Sequence, residues 1–186
     1  MTMETESGSA HPVEPPLKRS DNFFILFMIC MVCIVTWVGY LSYQKGQLEE
    51  TTKRNGEAWL QWLSEAATHR HEAGFQPEAC AAQLPPTSQR WQNCYQSLTA
   101  ADGPLGPQRN PFSSHQVQRA VKCDSQDRQL AGSLVFEKIT PTPPGSAIPT
   151  LMTALLDSDS IGEKIQIRIS VCDSGSNPIR IGELEF

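Results

Sequence analysis

Between Asp21 and Lys45 the chain carries no charge, and from Phe23 to Leu41 it reads FFILFMICMVCIVTWVGYL. These nineteen residues, at ~1.5 Å each, give roughly 28 Å of helix, and continuation to Tyr43 matches the ~30 Å hydrocarbon core of a bilayer. Phe23 and Phe24 stand at one end and Trp37, Tyr40 and Tyr43 at the other, the headgroup levels that amphipathic rings prefer. The run therefore predicts a transmembrane helix over 23–43. A cleaved signal peptide fits less well, because its apolar core spans ~7–15 residues and ends in a small-x-small site. The stretch VGYLS from Val38 to Ser42 offers none. A helix apolar on every face also needs more protein around it than a short chain supplies.

Charge narrows the class of function. Against 15 Lys and Arg stand 20 Asp and Glu, a formal charge of −5, so there is no basic surplus for nucleic acid or for a polybasic membrane surface. With 186 residues, 39% hydrophobic and 19% charged, the chain suits one modest domain with an attachment and excludes two large ones. Basic residues do not orient the span, since Lys18 and Arg19 precede it and Lys45, Lys53 and Arg54 follow it. Cysteine usage does. Cys80, Cys94, Cys123 and Cys172 form an even set beyond the span, which fits oxidising surroundings. The N-terminus is accordingly placed in the cytoplasm and residues 45–186 outside, in a periplasm or its equivalent, as for a protein of the bacterial inner membrane.

Residues 1–22 hold prolines, small polar residues and scattered charges with little to bury, and read as a disordered cytoplasmic tail. After the span, residues 44–74 keep helix-favouring composition, and Trp59, Trp62, Leu63 and Ala66 follow the i, i+3, i+4, i+7 spacing of one face. The helix is expected to leave the membrane unbroken, with Gly46 and Asn55-Gly56 as its kinks or weak points. Gly74 and Pro77 stop it, behind His69, Arg70 and His71. Residues 75–186 form the domain proper. Pro77 to Cys80 opens a short helix that Pro85-Pro86 ends, and Thr87 or Ser88 caps another carrying Trp91, Cys94, Tyr95 and Leu98 on one face.

The remainder reads as sheet. Gln116–Cys123 sets Val117, Val121 and Cys123 on one side, and Ser133–Ile139 is a second strand. Lys164–Cys172 alternates cleanly, with Ile165, Ile167, Ile169 and Val171 on one face. PIRIGELEF then pairs back as a hairpin, and the parity change across Gly182 marks a bulge. Between the second and third strands, prolines 141, 143, 144 and 149 bar regular structure, while Leu151–Leu156 suits a short helix or an apolar flap. The expected class is α+β: the membrane helix continued as a long helix, short helices, then an antiparallel sheet of about four strands.

The four outer cysteines allow three pairings. Cys80 with Cys94 would staple the short helices and Cys123 with Cys172 would tie the first strand to the third, and this pairing is favoured, at ~2–4 kcal/mol per bridge. Zinc is disfavoured because no C-x-x-C occurs among them. Cys30 and Cys33 do form C-x-x-C, but inside the apolar run, where small buried thiols are the plain reading. His69-Arg70-His71-Glu72 resembles a metal cluster, yet i and i+2 point about 200° apart on a helix, so a solvated helix end is expected. Ser113, Ser114 and His115 lack a nucleophile elbow. Asp157, Asp159 and Glu163 lack the Gly and final Glu of a calcium loop and read as solvated. No catalytic residue, metal site or cofactor emerges, so the chain is expected to be no enzyme. Trp59, Trp62 and Trp91 are candidate packing or interface residues.

The order of elements resembles the type IV pilin and pseudopilin family: a short leader-like tail, an apolar segment prolonged as one helix, a variable loop, an antiparallel sheet and cysteines toward the C-terminus. Where that family's processing site has Gly, then Phe, then Glu at the fifth mature position, this chain has Asn22, Phe23 and Phe27. The resemblance implies a structural or assembly role in the cell envelope, with the lipid bilayer and a protein partner or further copies of the chain as partners. A membrane-tethered module sensing or binding a small ligand or partner protein is the alternative.

Overall fold

The computed structural model describes residues 19–85, 87–140 and 151–186. The tail read in 1–22 lies outside them as far as Lys18, as do Pro86 and the proline-rich stretch 141–150. The chain divides into two compact units, Met1–Tyr43 and Gln44–Phe186.

Helix α1 is assigned from Arg19 to His69. Its first part, within the unit ending at Tyr43, is apolar on all faces, and every side chain from Phe23 to Tyr43 is exposed. By length and composition it can cross a membrane, with a mean hydropathy of 2.5 in its best window, a test that a signal sequence also passes.

In the second unit, α1 buries Thr52, Gly56, Trp59, Leu63 and Ala66, and Arg70, just past its end, continues the series. The alternating steps of four and three keep these residues on one face of a 3.6-residue helix. Trp62 lies at the margin of this stripe, half-buried and tilted against Phe75 with ring centroids 6.4 Å apart. At Gly56 a Cβ would lie 2.8 Å from both Ile181 Cγ1 and Val171 Cγ1, so the missing side chain lets the helix approach the sheet.

Short segments follow. The expected helix after Pro77 is a 3-10 turn, Glu78–Cys80. Helix α2 spans Trp91–Thr99 and buries Trp91, Cys94 and Leu98. Neither Thr87 nor Ser88 caps it. Its first amides instead donate to the carbonyls of a distant loop, Trp91 to Asp159 at 2.9 Å and Gln92 to Asp157 at 3.2 Å, which satisfies the same orphan N–H groups.

Among the described residues the sheet has five strands: β1 (Arg119–Ala120), β2 (Leu134–Thr140), β3 (Leu151–Ala154), β4 (Gln166–Cys172) and β5 (Pro178–Glu185). It is mixed, not antiparallel. One edge of β2 is shared, first by β1 in parallel (Arg119 opposite Leu134) and then by β3 in antiparallel (Glu137 opposite Ala154). Its other edge pairs antiparallel with β4, which pairs with β5. The Gln116–Cys123 strand is reduced to two residues, with Val117 buried but Val121 71% exposed. Leu151–Leu156, expected as helix or flap, begins with β3. Ile165, Ile167, Ile169 and Val171 are all buried, and register shifts between Ile169 and Ser170 where Ile181 is inserted beside Gly182, the bulge anticipated there. Disulfides join Cys80 to Cys94 and Cys123 to Cys172.

Candidate functional site

The core of the second unit is aromatic. Trp59 and Trp91 are 1% and 0% exposed, and both pack on Phe136 of β2 with centroids 5.1 Å away. Their burial assigns them to packing rather than to an exposed stripe. Neither indole N–H has a hydrogen-bond acceptor among the described residues. Trp37, Tyr40 and Tyr43 are exposed on the first unit's part of α1, where Cys30 and Cys33 are exposed free thiols.

One cluster places polar chemistry at the edge of this core. Tyr95 stacks on Trp59 at 5.3 Å with an 18° interplanar angle. Over the Tyr95 ring lies the Arg119 guanidinium, 5.4 Å from its centroid. Arg119 leaves β1 and reaches Asp157, Nη2 to Oδ1 at 2.5 Å, across 38 residues of sequence. The same Asp157 supplies the carbonyl that meets the start of α2. Asp157 and Asp159 are therefore working parts of a folded loop, with Asp159 Oδ2 accepting the Leu156 N–H at 2.7 Å.

Around this pair opens a groove of about 580 Å³ between α2 and residues 115–119. Its walls are rich in primary amides. Gln92, Gln96 and Gln118 have side chains with no hydrogen bond among the described residues, while Gln116 donates to the Thr99 carbonyl. Arg119 Nη1 is buried and has no acceptor among the described residues. Burial pushes the Tyr95 phenol above its ordinary pKa; Arg119 opposes that shift and Asp157 adds to it. The phenol is thus a neutral donor at neutral pH, not a base.

Free amides, one partly satisfied guanidinium and a neutral phenol suit recognition of a polar surface by hydrogen bonding. Among the described residues no group of three or more His, Cys, Asp or Glu is placed to hold a metal ion. The groove escaped sequence reading because its residues follow no spacing motif and meet only through the α2 and β1 contacts. Only the length of α2, with Gln92 and Gln96 four apart opposite its buried face, marks it in the sequence. Comparison of the chain with protein-family models, curated proteins and solved structures returns no match.

Proposed function

We propose that the chain is a non-enzymatic, single-pass membrane protein with its N-terminus in the cytoplasm and its second unit on the oxidising side of a bacterial inner membrane. There it takes a structural or assembly role in the envelope. One observation carries this reading: from Phe23 to Tyr43 an apolar helix is exposed on every face. Hydrocarbon is the solvent that such a surface suits. The two disulfides agree with an oxidising compartment for the remainder. The pilin-like version remains part of the proposal, resting on the order of elements alone. The amide-lined groove favours a second reading, a tethered module binding a polar ligand or partner protein.

The test is the intact mass and N-terminal sequence of the full chain extracted from its own membrane. A chain retaining Met1 or Thr2 means a permanent anchor. A chain beginning at Phe23 means peptidase processing and a filament subunit. A chain beginning beyond Leu41 and released without detergent overturns the anchored reading.

A further inference from the structure

The groove beside α2 has two walls that run antiparallel and match in length. At one end Gln116 donates to the Thr99 carbonyl, where α2 closes. At the other end Arg119 holds Asp157, whose carbonyl takes the Gln92 N–H. From Gln92 to Thr99 the helix advances about 10 Å, at 1.5 Å per residue. Residues 116–119, running into β1, cover about 10 Å as well when extended. Gln116 and Arg119 have opposite parity along the chain, yet both side chains reach α2, so the helix lies beside the edge of β1 rather than over one face.

That edge is open at Arg119. The Leu134 N–H donates to the Gln118 carbonyl, and in this parallel register residues 118 and 120 face β2 while the main-chain N–H and C=O of Arg119 face away. Beside Val117 the edge is taken by the Gln108 carbonyl, but the two Arg119 groups have no partner among the described residues. Buried main-chain groups are nearly always paired, so an open pair on a half-buried residue belongs to a surface that a ligand reaches. On the facing wall, Gln92 and Gln96 are exposed, and each side chain carries donors and an acceptor. Four residues apart on a helix, they stand about 6 Å apart along its axis. Each edge of an extended peptide presents its main-chain groups at every second residue, about 6.7 Å. The groove's ionised walls, Arg119 and Asp157, neutralise each other. We propose that the groove binds an uncharged, extended peptide segment of a partner protein, one edge added as a strand on the Arg119 main chain and the other held by the Gln92 and Gln96 side chains. Strand addition draws its affinity from main-chain bonds, and about three residues fill the length. A sugar offers donors and acceptors too, but the Tyr95 ring is stacked on Trp59 and covered by Arg119, which leaves it no aromatic platform. The proposal rests on the second reading given above for this groove.

The experiment titrates the full chain, in detergent micelles, with the capped peptide acetyl-Thr-Ala-Thr-Ala-Thr-amide. It follows the main-chain amide resonance of Arg119 and the side-chain amide resonances of Gln92 and Gln96. All three are expected to shift together and to saturate with one Kd. Methylating alternate peptide nitrogens, on either the odd or the even residues, strips the donors from one edge and should weaken binding about tenfold. Replacing both Gln92 and Gln96 by Ala, at exposed positions that folding does not need, should weaken it about three- to tenfold. Unchanged affinity of both methylated peptides overturns the proposal. Shifts from N,N′-diacetylchitobiose but none from the peptide overturn it too, while keeping a polar-ligand site. No shift from either compound at about 50 mM, well above a weak millimolar Kd, overturns both the proposal and the reading beneath it.

Discussion

Two glycines of α1 that look alike in sequence have opposite surroundings. At Gly46 an added Cβ meets nothing within 4 Å, so Gly46→Ala gains helix propensity without a clash and should raise stability by up to about 1 kcal/mol. At Gly56 the same methyl group meets branch atoms of Val171 and Ile181, stiff side chains of a packed interface. Gly56→Ala should lower stability by about 1–3 kcal/mol despite the better propensity. Urea midpoints of the two variants should move in opposite directions from the parent, and equal shifts would mean that α1 does not seat on the sheet through Gly56. Sequence had marked both glycines only as weak points, because propensity is local and close approach is not. Arg70 is the same lesson with charge. It was expected in solvent at a helix end, but the four-and-three stripe carries it inside, and a lone arginine gives no sign of which face it will take.

Strand β1 is the least self-sufficient element, two residues in parallel register with β2. Beyond it the Cys123–Cys172 bridge closes a separation of 49 residues and ties this segment to the end of β4. Loop entropy alone values such a bridge at about 4 kcal/mol, with about 2–4 the usual measured range. Replacing both cysteines by serine should lower stability by that amount and also loosen the β1 edge locally. The readout is amide exchange at Leu134, whose N–H donates to the Gln118 carbonyl at 2.9 Å. It should accelerate more than that of Ile169 in the central strand, and unchanged Leu134 protection would count against the tether. Elements with their own periodicity were legible. The isoleucine alternation of β4, the hairpin to β5 and its Gly182 bulge all follow from side-chain parity. β1 and β3 were not legible, because a two-residue parallel contact has no period and Leu151–Thr153 is exposed. The start of α2 misled for a related reason. Its amides are met by main-chain carbonyls of Asp157 and Asp159, and a carbonyl leaves no trace in residue identity. The groove inherits that illegibility, since the Arg119–Asp157 pair that shapes it spans the same long-range contact.

At the level of the whole chain, the division at Tyr43 separates two different solutions to burial. Every described core residue lies in the second unit, from Thr52 on α1 to Phe186. Both disulfides and the aromatic cluster of Trp59, Trp91, Tyr95 and Phe136 lie there as well. The first unit contributes no described residue to that core; its apolar side chains from Phe23 to Tyr43 are all exposed. Cooperative unfolding follows shared buried contacts, so removing a segment that shares none leaves the transition intact. A chain beginning at Gln44 should therefore be soluble without detergent and form both bridges under oxidising conditions. It should keep the near-ultraviolet circular dichroism of the packed tryptophans, and its urea transition should fall within about 0.5 kcal/mol of the full chain's, the usual scatter for independent changes. The helical signal of residues 19–43 should be missing from its far-ultraviolet spectrum. Loss of the near-ultraviolet signal with the helical signal retained would be a molten head, and would show that the apolar part of α1 holds the core in a way its exposed side chains do not reveal.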